Sequence, residues 1–253
     1  MIDIILSGCN GKMGRVIADI VASRDDCRIA AGIDKIVSDA TDFPQYSNIF
    51  DFSGSANVII DFSHPSALDD LLSFATQKNI PIVLATTGYT EKEIAKIHSA
   101  SNNIPVFFTA NMSIGVNLLS ELAKKAAAVL SDSFDIEIIE KHHNQKIDAP
   151  SGTALMLADE ISSQFDKSPV YEYDRHSKRC KRTKNEIGIH AVRGGTIVGE
   201  HEIIFAGRDE IISLSHSARS KEVFAVGAVN AALYLIAKEN RIYNMSDLIS
   251  GGN

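Results

Sequence analysis

The sequence predicts an α/β chain in which a doubly wound parallel sheet is joined to an α+β domain with a mostly antiparallel or mixed sheet. Three observations predict it. Short apolar runs alternate with helical patterns through the first half of the chain. A glycine-rich turn separates the first run from the first helix. Near residue 113 the pattern changes to a long helix followed by alternating strands.

Residues 2–6 form an apolar strand-like run, and a helical stretch covers 15–24 after the glycine turn. Further runs lie at 28–33, 58–62, 80–85 and 105–108, with helical segments between them. Their near-continuous apolarity is that of parallel strands covered on both faces. Pro65 falls where a first helical turn should start. Thr90 with Glu93 spells a capping box ahead of Ile94 and Ile97. A long helix is predicted over 115–130, and at 134–140 Phe134, Ile136 and Ile138 alternate with Asp135 and Glu137, as in a half-buried strand. Residues 151–165 read as helix. From 187 onward an antiparallel meander is expected: 188–192, a turn at Gly194 and Gly195, 196–205, a turn at Gly207, then 210–217. The last helix, 223–237, is strongly apolar and is expected to return to the first domain.

The chain has 253 residues, of which 45% are hydrophobic and 23% charged, the composition of a globular protein rather than a disordered one. Its net charge of −7 argues against nucleic-acid binding, which needs a broad positive field. No apolar run approaches the ~20 residues that cross a bilayer. Cys9, Cys27 and Cys180 are odd in number and contain no CxxC pair, which reads as free thiols in a reducing compartment with no zinc site. The N-terminus lacks a basic leader and runs straight into a strand, so a cytoplasmic protein is expected.

Gly8-Cys9-Asn10-Gly11-Lys12-Met13-Gly14 follows a strand and opens a helix. Glycines there allow a sharp turn and let backbone N–H groups approach a pyrophosphate at the positive helix end. The spacing is GxxGxxG rather than GxGxxG, so a tight turn with close helix packing is the alternative. Asp34 ends the second apolar run, where a carboxylate would accept bonds from an adenosine ribose. Lys35 follows it and could pair with the 2′-phosphate of NADPH, so the two together suggest tolerance of NADPH or NADH. Ala85, Thr86 and Thr87 end the fourth run, and Thr109, Ala110, Asn111 and Met112 the fifth. Ligands of open α/β sheets bind outside such strand ends.

The densest chemistry lies in residues 137–154, which begin on a strand and end at a helix start. Pro150 pushes Ala149 to an extended conformation, so no helix passes through. His142 and Lys146, four apart, would share a side of an extended segment. With His143 they make a cationic, proton-donating pocket. Ser151, Gly152 and Thr153 then offer hydroxyls and backbone N–H groups at a positive helix end, a ready carboxylate site. The group fits a small dianion being protonated or reduced. Adjacent His142 and His143 without a matched third ligand do not make a zinc spacing. The basic run 178–184 reads as a solvated loop, or as a flexible lid over an anionic ligand.

These residues resemble the 4-hydroxy-tetrahydrodipicolinate reductase (dihydrodipicolinate reductase) family. Its signature, E-[IV]-x-E-x-H, three residues, then K-x-[DE]-x-P-S-G-T-A, is met at every fixed position from Glu137 to Ala154. The resemblance extends to GxxGxMG from Gly8, DFS-x-P from Asp61, TTG from Thr86, AN-x-S-x-GVN from Ala110 and HAVRGG-x-IVGEH from His190. It implies a Rossmann-type dinucleotide-binding domain of residues 1–113 and 222–253, and a substrate-binding and oligomerisation domain of residues 114–221. It implies reduction of (2S,4S)-4-hydroxy-2,3,4,5-tetrahydrodipicolinate with NADPH or NADH, in the diaminopimelate route to lysine. His142 is implied as proton donor and acceptor, Lys146 as proton donor to the substrate, and His143, Gly152 and Thr153, with Ser151 nearby, as ligands of the dicarboxylate. Contacts to the cofactor are implied at 8–13, Asp34, Lys35, 85–87 and 109–112, and a homotetramer through 187–217. Ala85 stands where the family often has Gly, and Lys35 where some members have Arg. Another two-domain NAD(P)-dependent oxidoreductase of a small carboxylate, and a non-catalytic NAD(P) sensor, are the other readings.

Overall fold

Ile4, Ile5 and Leu6 are all fully buried, so the first strand, β1 (Ile2–Ser7), has no solvent face. The structure, a computed structural model, describes residues 1–38 and 41–251. In chain order β1 is followed by α1 (Lys12–Ala22), β2 (Cys27–Ile33), β3 (Gln45–Tyr46), β4 (Val58–Asp61), α2 (Leu68–Lys78), β5 (Ile82–Leu84), α3 (Glu91–Ala100) and β6 (Val106–Phe108). Then come α4 (Ile114–Leu130), β7 (Asp135–His142), α5 (Gly152–Ser162), β8 (Val170–Glu172), β9 (Glu186–Arg193), β10 (Gly199–Ala206) and β11 (Ile211–Ala218). The chain ends with α6 (Glu222–Leu235), β12 (Ile242–Tyr243) and α7 (Met245–Ile249). Two compact units result, one of Met1–Ile114 with the chain from Glu222 onward, the other of Gly115–Lys221.

The first unit is a seven-stranded sheet in the order β12-β6-β5-β4-β1-β2-β3, and every pairing is parallel. The pleat sends Ile4, Leu6, Val58 and Ile60 to a core shared with α1 and α6. It sends Ile5, Ile59, Ile82 and Leu84 to the opposite core, shared with α2 and α3. This is the doubly wound arrangement that unbroken apolar strands require. The capping box starts α3 as the sequence predicts: Thr90 N–H donates to Glu93 at 2.7 Å and Glu93 N–H to the Thr90 hydroxyl at 3.3 Å. Pro65 opens a single 3₁₀ turn ahead of α2. Helix α1 begins at Lys12, three residues before the sequence expectation, because Gly11 is its N-cap and Gly14 is small enough for its first turn.

The second unit is a mixed five-stranded sheet, in the order β11-β10-β7-β9-β8, with α4 and α5 contributing Leu119, Ala123, Leu157 and Ile161 to its core. Here the expected meander is corrected. β9 does not pair with β10; β7 lies between them, parallel to β9 and antiparallel to β10. The glycine turn at Gly194 and Gly195 is real, but it crosses over the end of β7. Gly194 N–H donates to His142 O at 2.9 Å, and Asn144 N–H to Gly195 O at 3.2 Å. A turn that spans a middle strand and a hairpin turn carry the same local signal. Among the described residues no helix is long and apolar enough to cross a membrane.

Candidate active site

In the first unit the glycine turn is shaped by close backbone approach. Gly8 has φ +78°, and a Cβ there would stand 2.5 Å from Phe62 O. A Cβ on Gly14 would stand 2.1 Å from Gly8 O, so only glycine lets α1 lie this close to the turn. Asp34, at the end of β2, accepts from Asn10 N–H at 3.0 Å, while the Asn10 side chain donates to Gln45 at 2.8 Å and to Ile36 O at 2.7 Å. The turn is thus tied to the next strand. Among the described residues no side chain caps the N-terminus of α1, and its first turn carries no acid, so its N–H groups face whatever anion approaches.

A cleft of about 470 Å³ opens beside it, lined by Gly8, Gly11, Asp34 and Lys35 together with Ser63 and His64. These features fit a dinucleotide: uncapped amides for a pyrophosphate, a half-buried carboxylate for a ribose, and an exposed ammonium beside it. Lys12 and Met13 lie in the first turn of α1, Lys12 exposed. Other predicted positions carry structure. Cys9 and Met112 turn into the core, and burial pushes the Cys9 thiol up to about 11. Any part Cys9 plays is through its backbone. Thr86 is buried and donates to Asp61 at 2.7 Å. Thr87 and Ala110 are exposed, Ala85 and Thr109 half-buried, and the Asn111 side chain accepts from Ser113 N–H at 2.9 Å.

In the second unit the alternation of β7 decides the site. Ile136, Ile138, Glu140 and His142 share one face, and the first three are buried. Glu140 is fully buried at the polar end of that face. Nη1 and Nη2 of Arg193 each donate to it at 2.7 Å, His142 Nδ1 lies 2.7 Å away, and Ser151 N–H donates at 3.0 Å. Burial pushes the Glu140 carboxyl up, but Arg193, His142 and the Ser151 amide outweigh it and hold it below the usual carboxylate range. A carboxylate on Nδ1 fixes the His142 tautomer and leaves Nε2 for chemistry. That Nε2 faces Gly199, where a Cβ would come within 3.1 Å.

Beyond His142 the chain leaves the strand, and Lys146 N–H donates to His143 O at 3.1 Å. The expectation of one extended segment from His142 to Lys146 is therefore corrected to a turn. Lys146 Nζ pairs with Asp148 at 2.9 Å. Ser151 caps α5 by accepting from Ala154 N–H at 3.1 Å. Gly152 is exposed, and a Cβ there would meet nothing within 4 Å, so the helix start is open to a ligand. The basic run 178–184 is no lid over this site. Its Arg182 donates to Glu137 and Asp135 at 3.0 Å, and Glu137 lies on the opposite face of β7 from Glu140.

Residues 2–112 match the family profile described as dihydrodipicolinate reductase, N-terminus, and residues 115–249 match that of its C-terminus. The chain belongs to the dihydrodipicolinate reductase family. It is 50% identical to the 4-hydroxy-tetrahydrodipicolinate reductase of Clostridium novyi over the whole of both chains. It is also 50% identical to the enzyme of that name from Caldanaerobacter subterraneus subsp. tengcongensis, again over the whole of both. Its fold is that of the dipicolinate-bound dihydrodipicolinate reductase from Paenisporosarcina sp. TG-14, with a TM-score of 0.81 at 24% identity, covering 96% of this chain and 97% of that one.

For this family member, sequence reasoning named the segment that carries the candidate chemistry and missed what holds it. Glu140, Arg193 and His201 carry no predicted role, yet they form the buried frame under His142 and Ser151. One signal was available: Glu140 falls in phase with Ile136 and Ile138, on the face that must be buried. A carboxylate there demands partners. His201 carries the same signal, in phase with Ile203 and Phe205 on β10, but Arg193 does not, and only strand register brings the two to Glu140 and His142.

Proposed function

We propose that this reductase converts (2S,4S)-4-hydroxy-2,3,4,5-tetrahydrodipicolinate to tetrahydrodipicolinate, taking up a hydride and a proton and releasing water, with the second unit binding and protonating the substrate. The observation that carries this is Glu140, a wholly buried carboxylate that joins His142, Arg193 and the first turn of α5. NADH or NADPH, bound at the glycine turn of the first unit, supplies the hydride.

His142, held by Glu140 at Nδ1, exchanges a proton at Nε2. Lys146 delivers a proton from Nζ and offsets substrate charge. Its partner Asp148 is exposed, so Lys146 can exchange that carboxylate for one of the substrate's without stranding a buried charge. His143, Gly152 and Thr153, with the Ser151 cap, receive a substrate carboxylate at the positive end of α5. Self-association, as a homotetramer, is assigned to residues 187–217, where Val192, Ile211 and Ile212 stay exposed on β9 and β11. A cytoplasmic location fits the three free cysteines.

Lys146→Ala tests the assignment. Turnover should fall by about 10²–10⁴-fold, the usual share of a general acid, while NADH affinity holds. Wild-type turnover would remove Lys146 from the chemistry. Light scattering of Ile211→Lys tests the assembly, which should dissociate.

A further inference from the structure

Ser151 is 2% exposed, and its hydroxyl oxygen has two neighbours. Ala154 N–H donates to it at 3.1 Å, and His201 Nε2 lies 3.1 Å away. His201 is 5% exposed, stands opposite Glu140 on β10, and sets its ring edge against His142 at a centroid distance of 5.3 Å. Its second nitrogen, Nδ1, is buried with no hydrogen-bond partner among the described residues. No role already assigned to the site uses this ring.

We propose that His201 is a positioning residue for the substrate carboxylate: its Nε2–H fills the second lone pair of the Ser151 hydroxyl, so that the Ser151 proton turns away from the frame as a donor. This rests on the reading that the first turn of α5 receives a carboxylate. A hydroxyl has two lone pairs and one proton. With Ala154 N–H on one lone pair and His201 on the other, the proton must point elsewhere, and Ser151 becomes a donor only. The opposite tautomer would leave a buried Nδ1–H with no acceptor among the described residues, and orphaned buried N–H groups are the rarer and costlier defect. Burial, then the charge of His142, push the His201 pKa down to about 4. The ring is therefore neutral at neutral pH and brings no extra charge beside Arg193 and Lys146. A donor-only hydroxyl beside the amide of Gly152 selects an ionised carboxylate over groups that must donate.

Two measurements test this. Long-range ¹H–¹⁵N spectra of histidine-labelled enzyme, with His201 assigned by its loss in His201→Gln, should show the Nε2–H tautomer from pH 7 to pH 5. An Nδ1–H tautomer overturns the proposal. Separately, His201→Leu should weaken dipicolinate binding and raise substrate KM about fivefold, the weight of one ordinary hydrogen bond, with kcat little changed. His201→Gln, which keeps a neutral donor near Nε2, should recover most of this. Ser151→Ala with His201→Leu should bind dipicolinate no more weakly than Ser151→Ala alone. A purely structural role predicts instead a loss of kcat and KM together, no rescue, and additive effects. If Ser151→Ala and Gly152→Ala leave dipicolinate affinity intact, the carboxylate reading itself fails. If they weaken it and His201→Leu does not, only the role of His201 fails.

Discussion

The two helix starts to which we assign an anion are built by different means. The N-terminus of α1 is bare: a glycine N-cap, no side-chain cap among the described residues, and backbone packed so tightly that Gly8 and Gly14 tolerate no Cβ. The N-terminus of α5 is furnished: a serine cap, open space at Gly152, and a buried frame of Glu140, Arg193 and His201 behind it. A pyrophosphate asks only for amides and room, so shape suffices at α1. A substrate that must be protonated asks for groups with set tautomers, and those must be held by buried partners.

The largest effect should come from breaking the frame at α5. Glu140→Gln leaves Arg193 without its carboxylate and His142 without a fixed tautomer. Steady-state assays should show turnover down by about 10²–10⁴-fold. Titration with NADH should show affinity unchanged, because the glycine turn and the frame belong to different units; a parallel loss of NADH binding would erase the contrast between the two starts.

The same glycine-to-alanine change at each start sharpens the comparison. Gly14→Ala drives a Cβ into Gly8 O, and thermal or urea unfolding should register a loss of ~3 kcal/mol along with weakened NADH binding. Gly152→Ala meets open space, so unfolding should be unaffected while substrate KM rises. A stability loss at Gly152, or none at Gly14, would reverse the roles given to shape and furnishing.

Acid should separate the starts next. His201 has its folded pKa lowered from an ordinary 6.5 to about 4. The unfolded chain therefore takes up a proton below 6.5 that the folded ring refuses, and folding stability falls as pH falls through that window. By linkage the loss is about 2 kcal/mol between pH 6.5 and pH 5. Urea melts of His201→Leu should lack this slope. Glu140 acts lower: its carboxyl is depressed, so its contribution is present above the ordinary carboxylate pKa and lost as pH falls through the depressed value.

The smallest effect concerns the cofactor. Lys35 is exposed, and a surface cation facing a phosphate is weak and screened by salt. Lys35→Ala should raise KM for NADPH by roughly fivefold at low salt and leave NADH unchanged. Equal effects on both would take Lys35 away from the 2′-phosphate.

Legibility followed locality. The capping box of α3, the buried strands of the parallel sheet and the glycine turn depend on residues a few positions apart, and the sequence displays them directly. His142, Lys146, Ser151 and Gly152 were visible for the same reason, since they lie within one short segment. Two of the partners that hold them could not be matched to them. Arg193 lies 53 positions from Glu140, and His201 lies 50 from Ser151. They meet only because β7 slides between β9 and β10, against the hairpin that Gly194 and Gly195 suggest.

By itself, then, the sequence determined the doubly wound sheet, the capping box of α3 and the short segment that carries the candidate chemistry, because periodicity, caps and glycine conformations are short-range physics. The tertiary structure alone decided which guanidinium and imidazole meet that segment, because a strand's neighbours are chosen by burial of a shared face across the whole sheet.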